Sequence, residues 1–79
     1  MISIGEIAIV ITDRIKSAAA VNELLSRYGD DIIARTGVPQ KEKNLYIISV
    51  VLEAESAEIE ALTEKLSQLP DVRVKSIII

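Results

Sequence analysis

An α+β domain, with a four-stranded antiparallel sheet carrying two helices on one face, is predicted by three features of the chain. Segments rich in β-branched residues, Ile4–Thr12 and Leu45–Glu53, read as long strands. Arg14–Tyr28 and Ala57–Gln68 repeat apolar residues at helical spacing. Two further strand-like segments, Ile32–Val38 and Val72–Ile79, complete the order β-α-β-β-α-β. Right-handed crossovers then place both helices on one side, the ferredoxin-like arrangement, with strands in the spatial order 4-1-3-2.

Each element has its own justification. In the first strand Ile7, Ile9 and Ile11 alternate with Ala8 and Val10, and Gly5 marks a bulge or the strand start. Thr12-Asp13 supplies an N-cap oxygen to the first helix, whose apolar stripe is Ile15, Ala18, Val21, Leu24, Leu25 and Tyr28. Glu23 and Arg27 pair at i, i+4 on the solvent side, and Gly29 suits a left-handed residue after the helix. Pro39–Asn44 reads as a polar hairpin loop. Ser56 is the expected cap of the second helix, with Glu58 and Glu60 in its positive first turn. Ile59, Leu62, Leu66 and Leu69 form its buried stripe, and Pro70-Asp71 ends it.

The sheet alternates poorly for one that is covered on a single side. Tyr46, Ile48, Val50 and Leu52 are assigned to the helix side, together with Val72 and Val74 and with Ile32, Ala34, Thr36 and Val38. The opposite face then carries Ile33, Leu45, Ile47, Val51, Ile77 and Ile79, with Arg35, Gly37, Arg73 and Lys75 among them. That is a larger apolar patch than a soluble monomer normally exposes. The six aliphatic residues are therefore the expected oligomer interface, in a homodimer or homotetramer. The alternative is that strand-forming residues populate an uncovered face.

Composition narrows the chemistry. The 79 residues suit one domain spanning 1–79, small enough to be marginal without a disulfide, a metal or a partner subunit. There is no Cys and no His, which removes disulfides, the usual zinc ligands, thiol nucleophiles and imidazole acid–base relays. A non-enzymatic domain with no cofactor and no metal is expected. Asp30-Asp31 offers too few spaced oxygens for a hard cation, and the acidic run from Glu53 to Glu64 reads as a solvated helix face. No apolar run is long enough to span a bilayer, and Met1–Glu6 lacks a basic n-region, so a cytoplasmic protein is expected.

The candidate ligand-binding residues are Asp13 and Arg14 at the first helix, and Arg35 and Gly37 on the second strand. Arg14 lies where free helix amides favour anions. Arg35, placed with Arg73 and Lys75, would offer bidentate contacts to a small anionic metabolite at a subunit junction. The alternative for Arg35 is an interface salt bridge or a side chain that lies along apolar surface.

Several stretches carry a family resemblance. Val21-Asn22-Glu23-Leu24-Leu25, Asp31 through Pro39, Asn44 through Leu52 and Val72-Arg73-Val74-Lys75 resemble the iron-only hydrogenase system regulators, which are small ACT-like proteins. Arg35-x-Gly37-x-Pro39 is the most distinctive piece. The resemblance implies an oligomer of ferredoxin-like subunits, similar in plan to the nickel-sensing domain of a repressor class. It implies a non-catalytic regulatory module that senses a small molecule or docks on a protein. The alternative is a structural oligomerisation or assembly factor without a ligand. Many amino-acid-binding ACT domains carry Asp-Arg-Pro-Gly after the first strand; here the segment is Asp13-Arg14-Ile15-Lys16, without that glycine. The His and Cys ligands of the nickel sensors are absent too.

The net charge of −3 and the lack of a basic helix predict no sequence-specific DNA binding by the isolated protein. Fluorescence anisotropy at physiological salt should show no site-specific submicromolar affinity. Such affinity would require a basic face that the sequence does not foreshadow.

Overall fold

The computed structural model describes residues 1–79 as β1 (Ile2–Ile11), α1 (Arg14–Arg27), β2 (Ile32–Gln40), a 3-10 turn (Lys41–Lys43), β3 (Leu45–Glu55), α2 (Ser56–Ser67) and β4 (Val72–Ile78). The sheet order is β2-β3-β1-β4 with every neighbouring pair antiparallel, which is the ferredoxin-like order the sequence predicts. No helix is long and apolar enough to cross a membrane.

The core lies between the sheet and the two helices. Ile7, Ile9 and Ile11 from β1 alternate inward and meet Val50, Ile48 and Tyr46 of β3 in register. Val21 and Leu25 of α1 and Ile59, Leu62 and Leu66 of α2 close over them with no exposed surface. The buried side chains of these strands and helices are almost all aliphatic, so the core is held by shape and apolar area, with no aromatic anchor at its centre.

Two polar ties brace the end where α1 begins. The Ser17 hydroxyl, buried in α1, donates to the Pro70 carbonyl at 2.6 Å. The Thr12 amide donates to the Asp71 carbonyl at 2.8 Å, and the Thr12 hydroxyl to the same oxygen. Asp71 takes a left-handed φ of 60°, which turns the chain from α2 into β4.

Several local expectations need correcting. Ile15 is fully exposed at 99% and does not belong to the α1 stripe; Ser17 takes the inward position instead. Thr12 is committed to Asp71, so the α1 cap is Asp13 alone, whose Oδ1 accepts from the Lys16 amide at 3.3 Å. Gly29 is not left-handed. The end of α1 instead tightens into i→i−3 bonds, Tyr28 to Leu25 and Gly29 to Ser26, which satisfy the carbonyls without a reversal of φ. Glu55, not Ser56, is the N-cap of α2, and it makes no side-chain cap bond because its carboxylate meets the N-terminal amine. Glu60 lies beyond the first turn, leaving Glu58 as the acidic residue there. The 39–44 loop is shorter than expected: Pro39 and Gln40 still pair with Tyr46 and Leu45, and Asn44 at φ 55° closes the turn.

Gly5 lies mid-strand, paired with Leu52 and Ile78, and marks neither a bulge nor a strand start. Its role is close approach. A Cβ there would stand 2.8 Å from Ile59 Cγ2, so α2 rests directly on the β1 backbone.

The one bulge in the sheet is in β2. Ile32 faces Leu52 while Ala34 faces Val51, so Ile33 is an extra residue. From there every β2 side chain is shifted by one position relative to a regular strand. Arg35, Gly37 and Pro39 lie on the helix side, opposite Val50, Ile48 and Tyr46. Ala34, Thr36 and Val38 lie on the other face, opposite Val51, Ser49 and Ile47. This reverses the faces expected for Ala34, Arg35, Thr36, Gly37 and Val38, because a period-2 reading carried across the bulge exchanges the sides.

Leu66→Ala should cost roughly 2–5 kcal/mol, from lost transfer energy plus a cavity, and a loss below about 1 kcal/mol in urea unfolding would contradict its central position. Gly5→Ala should cost about 1–3 kcal/mol through overpacking against the branched, buried Ile59. In a double-mutant cycle with Ile59→Ala, which removes Cγ2 as well as Cδ1, the two losses should sum to less than their separate values, and additive losses would show that the contact is not the cause.

Candidate functional site

The helix side of the sheet opens towards β2, which is exposed along its length apart from Ile32. Four side chains converge on this open edge. Tyr46 points across β2 so that its hydroxyl lies against Gly37, where any Cβ would collide with the phenol. The guanidinium of Arg14 sits 4.7 Å from the centre of the Tyr46 ring, a cation–π contact that fixes its direction. Farther along β2, Arg35 donates from its guanidinium to the Asn22 side-chain oxygen of α1. The result is an open edge between α1 and β2, where the Tyr46 hydroxyl covers Gly37 and a cation lies towards either end.

The electrostatics of this edge are unbalanced. The ion pairs of the chain join Met1 to Glu55 and Arg27 to Glu23, so neither Arg14 nor Arg35 is neutralised by a carboxylate. In a chain with net charge −3, two such arginines along one edge leave it locally positive.

Of the candidate ligand-binding residues, Arg14, Arg35 and Gly37 lie along this edge. Asp13 is occupied as the α1 cap. Arg35 is separated from Arg73 and Lys75, which remain on the other face opposite Val10 and Ala8; the β2 bulge is the reason. Asn22 and Tyr46 were not singled out as site residues. Arg14, Ala18 and Asn22 follow one another at i+4 spacing, so the α1 side of the edge was available from the sequence.

The opposite face of the sheet is covered by no element of the chain. Ile47, Ile77 and Ile79 are exposed on it, Leu45 and Val51 are half-buried, and Ile33, also exposed, is the unpaired residue of the β2 bulge. Ile2, Ile4 and Val38 extend the same apolar surface. At its centre Glu6 accepts a hydrogen bond from the Ser49 hydroxyl at 2.5 Å. Glu6 was missed as a feature of this face, although it falls in phase with Ala8 and Val10.

A family profile described as "Iron-only hydrogenase system regulator, putative", TM1266-like, matches residues 3–76. The chain belongs to the TM1266-like family. The structure of the uncharacterised protein TM1266 from Thermotoga maritima is 39% identical, covers 100% of this chain and 99% of that one, and superposes with a TM-score of 0.95. Two more distant structures share the fold. The C-terminal domain of the MgtC protein from Mycobacterium tuberculosis is 14% identical, with coverage of 98% and 87% and a TM-score of 0.73. A formyltetrahydrofolate deformylase from Pseudomonas putida KT2440 is 10% identical over 94% of this chain and 28% of that one, with a TM-score of 0.66. No curated protein matches the sequence.

Proposed function

We propose that the protein is a non-catalytic regulatory module of an iron-only hydrogenase system, and that it responds to a small anion held between α1 and β2. The observation that carries the effector site is the pair of guanidinium groups, Arg14 and Arg35, flanking Tyr46 and Gly37 without a carboxylate partner. Guanidinium groups form bidentate, charge-assisted hydrogen bonds with carboxylate and phosphate oxygens. Arg14 is already oriented by the Tyr46 ring, and Arg35 by Asn22, so less side-chain freedom is lost on binding. An anion held at Arg35 would strengthen the tie between α1 and β2 that the Arg35–Asn22 hydrogen bond now makes. Such a ligand shifts the population of conformers in which helix and edge strand are clamped. The hydrogenase association rests on family membership.

Two measurements test this reading. NMR amide shifts should be followed during titration with inorganic phosphate and with malonate at constant ionic strength. Saturable shifts should cluster around Arg14, Asn22 and Arg35–Gly37, and Arg35→Gln should weaken binding at least about tenfold, as expected for loss of a charge-assisted contact. Shifts matched by an equal concentration of chloride, or unaltered by Arg35→Gln, would remove the effector site. Deleting the gene in its native host should alter hydrogenase activity or hydrogenase transcript levels, and unchanged values would count against the hydrogenase assignment.

A further inference from the structure

We infer that the outer edge of β2 takes an extended, acidic segment of a partner protein as an added strand, with carboxylate side chains of that segment reaching Arg14 and Arg35. The inference deepens the reading of the α1–β2 edge proposed above, and rests on it, by naming the source of the anion.

The backbone comes first. Antiparallel ladders alternate between pairs that exchange both hydrogen bonds and pairs that exchange none. The phase is fixed where β1 meets β4. Ile4 and Ile79 donate to each other's carbonyls, and the Thr12 amide donates to the Asp71 carbonyl. Glu6, Ala8 and Val10 therefore direct their backbone groups at β4, while Ile7, Ile9 and Ile11 direct theirs at Val50, Ile48 and Tyr46 of β3. The intervening β3 residues Ile47, Ser49 and Val51 turn to β2 and bond Val38, Thr36 and Ala34. The backbone groups of Arg35, Gly37 and Pro39 are left pointing away from the sheet. The edge offers the N–H groups of Arg35 and Gly37 and the carbonyls of all three residues, on a strand that is exposed from Ile33 to Gln40.

Two features bound this stretch. The Ile33 bulge interrupts the ladder at one end, and Pro39, which lacks an N–H, ends it at the other. Bulges, prolines and charged side chains protect edge strands from indiscriminate pairing. Here they confine pairing to Arg35–Pro39, which suits a short segment.

Charge then selects the occupant. The residues with open backbone groups are also those on the helix side of β2. A strand laid antiparallel against them, as every neighbouring pair of the sheet is, sets alternate side chains on that side. Arg35 stands at one end of that row. Arg14, over the ring of Tyr46, stands at the other, because Tyr46 pairs with Pro39. Neither guanidinium has a carboxylate partner, and Arg35 gives Asn22 only part of its donor set. The remaining side chains of the segment fall beside Ala34, Thr36 and Val38, which suit aliphatic neighbours. In strand addition, main-chain bonds give affinity and alternate side chains give specificity, so the edge fits a segment in which acidic and aliphatic residues alternate. A second copy of this chain does not supply it. The strands with a free edge are β2 and β4, and neither Ile32–Gln40 nor Val72–Ile78 contains Asp or Glu.

Hydrogen exchange and amide shifts read by NMR test this with the peptide acetyl-Glu-Val-Glu-Val-Glu-amide. In the free protein the Arg35 and Gly37 amides should exchange fast and those of Thr36 and Val38 slowly. Saturating peptide should slow Arg35 and Gly37 at least about tenfold. Arg35→Gln should weaken the peptide at least about tenfold. Methylating the glutamate amide nitrogens, which face β2 in the antiparallel pairing, should abolish binding, and acetyl-Lys-Val-Lys-Val-Lys-amide should not bind. Protection of Arg35 and Gly37 in the free protein would show the edge already covered by another copy and overturn the proposal. Equal binding of the lysine peptide, or binding indifferent to methylation or to Arg35→Gln, would overturn it too. Malonate shifts that respond to Arg35→Gln while the glutamate peptide stays silent would sink strand addition and leave the anion reading standing; silence of both would remove the two together.

Discussion

The structure depends on a single inserted residue. Ile33 interrupts the regular pairing of β2 with β3, and every side chain after it changes sides. Without the bulge, Val38 would stand beside Tyr46 and Arg35 would join Arg73 on the uncovered face. With it, Gly37 receives the Tyr46 hydroxyl, Arg35 reaches Asn22, and Val38 completes an aliphatic row with Ile47 and Val10. One register step thus gathers the cations on one side of the sheet edge and extends the apolar surface on the other. A bulge also bends and twists its strand locally, which suits an outer strand that neither helix covers.

A second constraint acts at the centre. Because the core is almost entirely aliphatic, the helices must sit close to the sheet to exclude water and fill space. Gly5 permits this by letting Ile59 rest on backbone. Ser17 then supplies what an aliphatic core lacks, a buried directional bond that holds α1 to the Pro70 turn. The open α1–β2 edge is an indirect product of this packing. The helices are drawn over β1, β3 and β4, and the flank of β2 is left open.

Much of this was legible in the sequence. The alternation of Ile7, Ile9 and Ile11, the spacing of Val21 with Leu25, and that of Ile59, Leu62 and Leu66 all led to the observed elements and core. So did the doubly apolar character of β3. What could not be read is what depends on a count of one. Nothing in Ile32-Ile33-Ala34 marks the extra residue, since all three suit either face. The α2 cap and the α1 stripe were misplaced for a similar reason: Ser56 and Glu55, or Ser17 and Ile15, differ by one or two positions. Tertiary partners such as the N-terminal amine and the Pro70 carbonyl decide between them.

The account stands or falls on the sides taken by β2, and methyl and side-chain NOEs in isotope-labelled protein report these directly. The Val38 methyl groups should show cross-peaks to the side chain of Ile47, and the Arg35 side chain should show them to Asn22. Cross-peaks from Val38 to the Tyr46 ring, with Arg35 beside the side chain of Ser49, would show an unbulged β2 and contradict both the α1–β2 edge and the uncovered face as described.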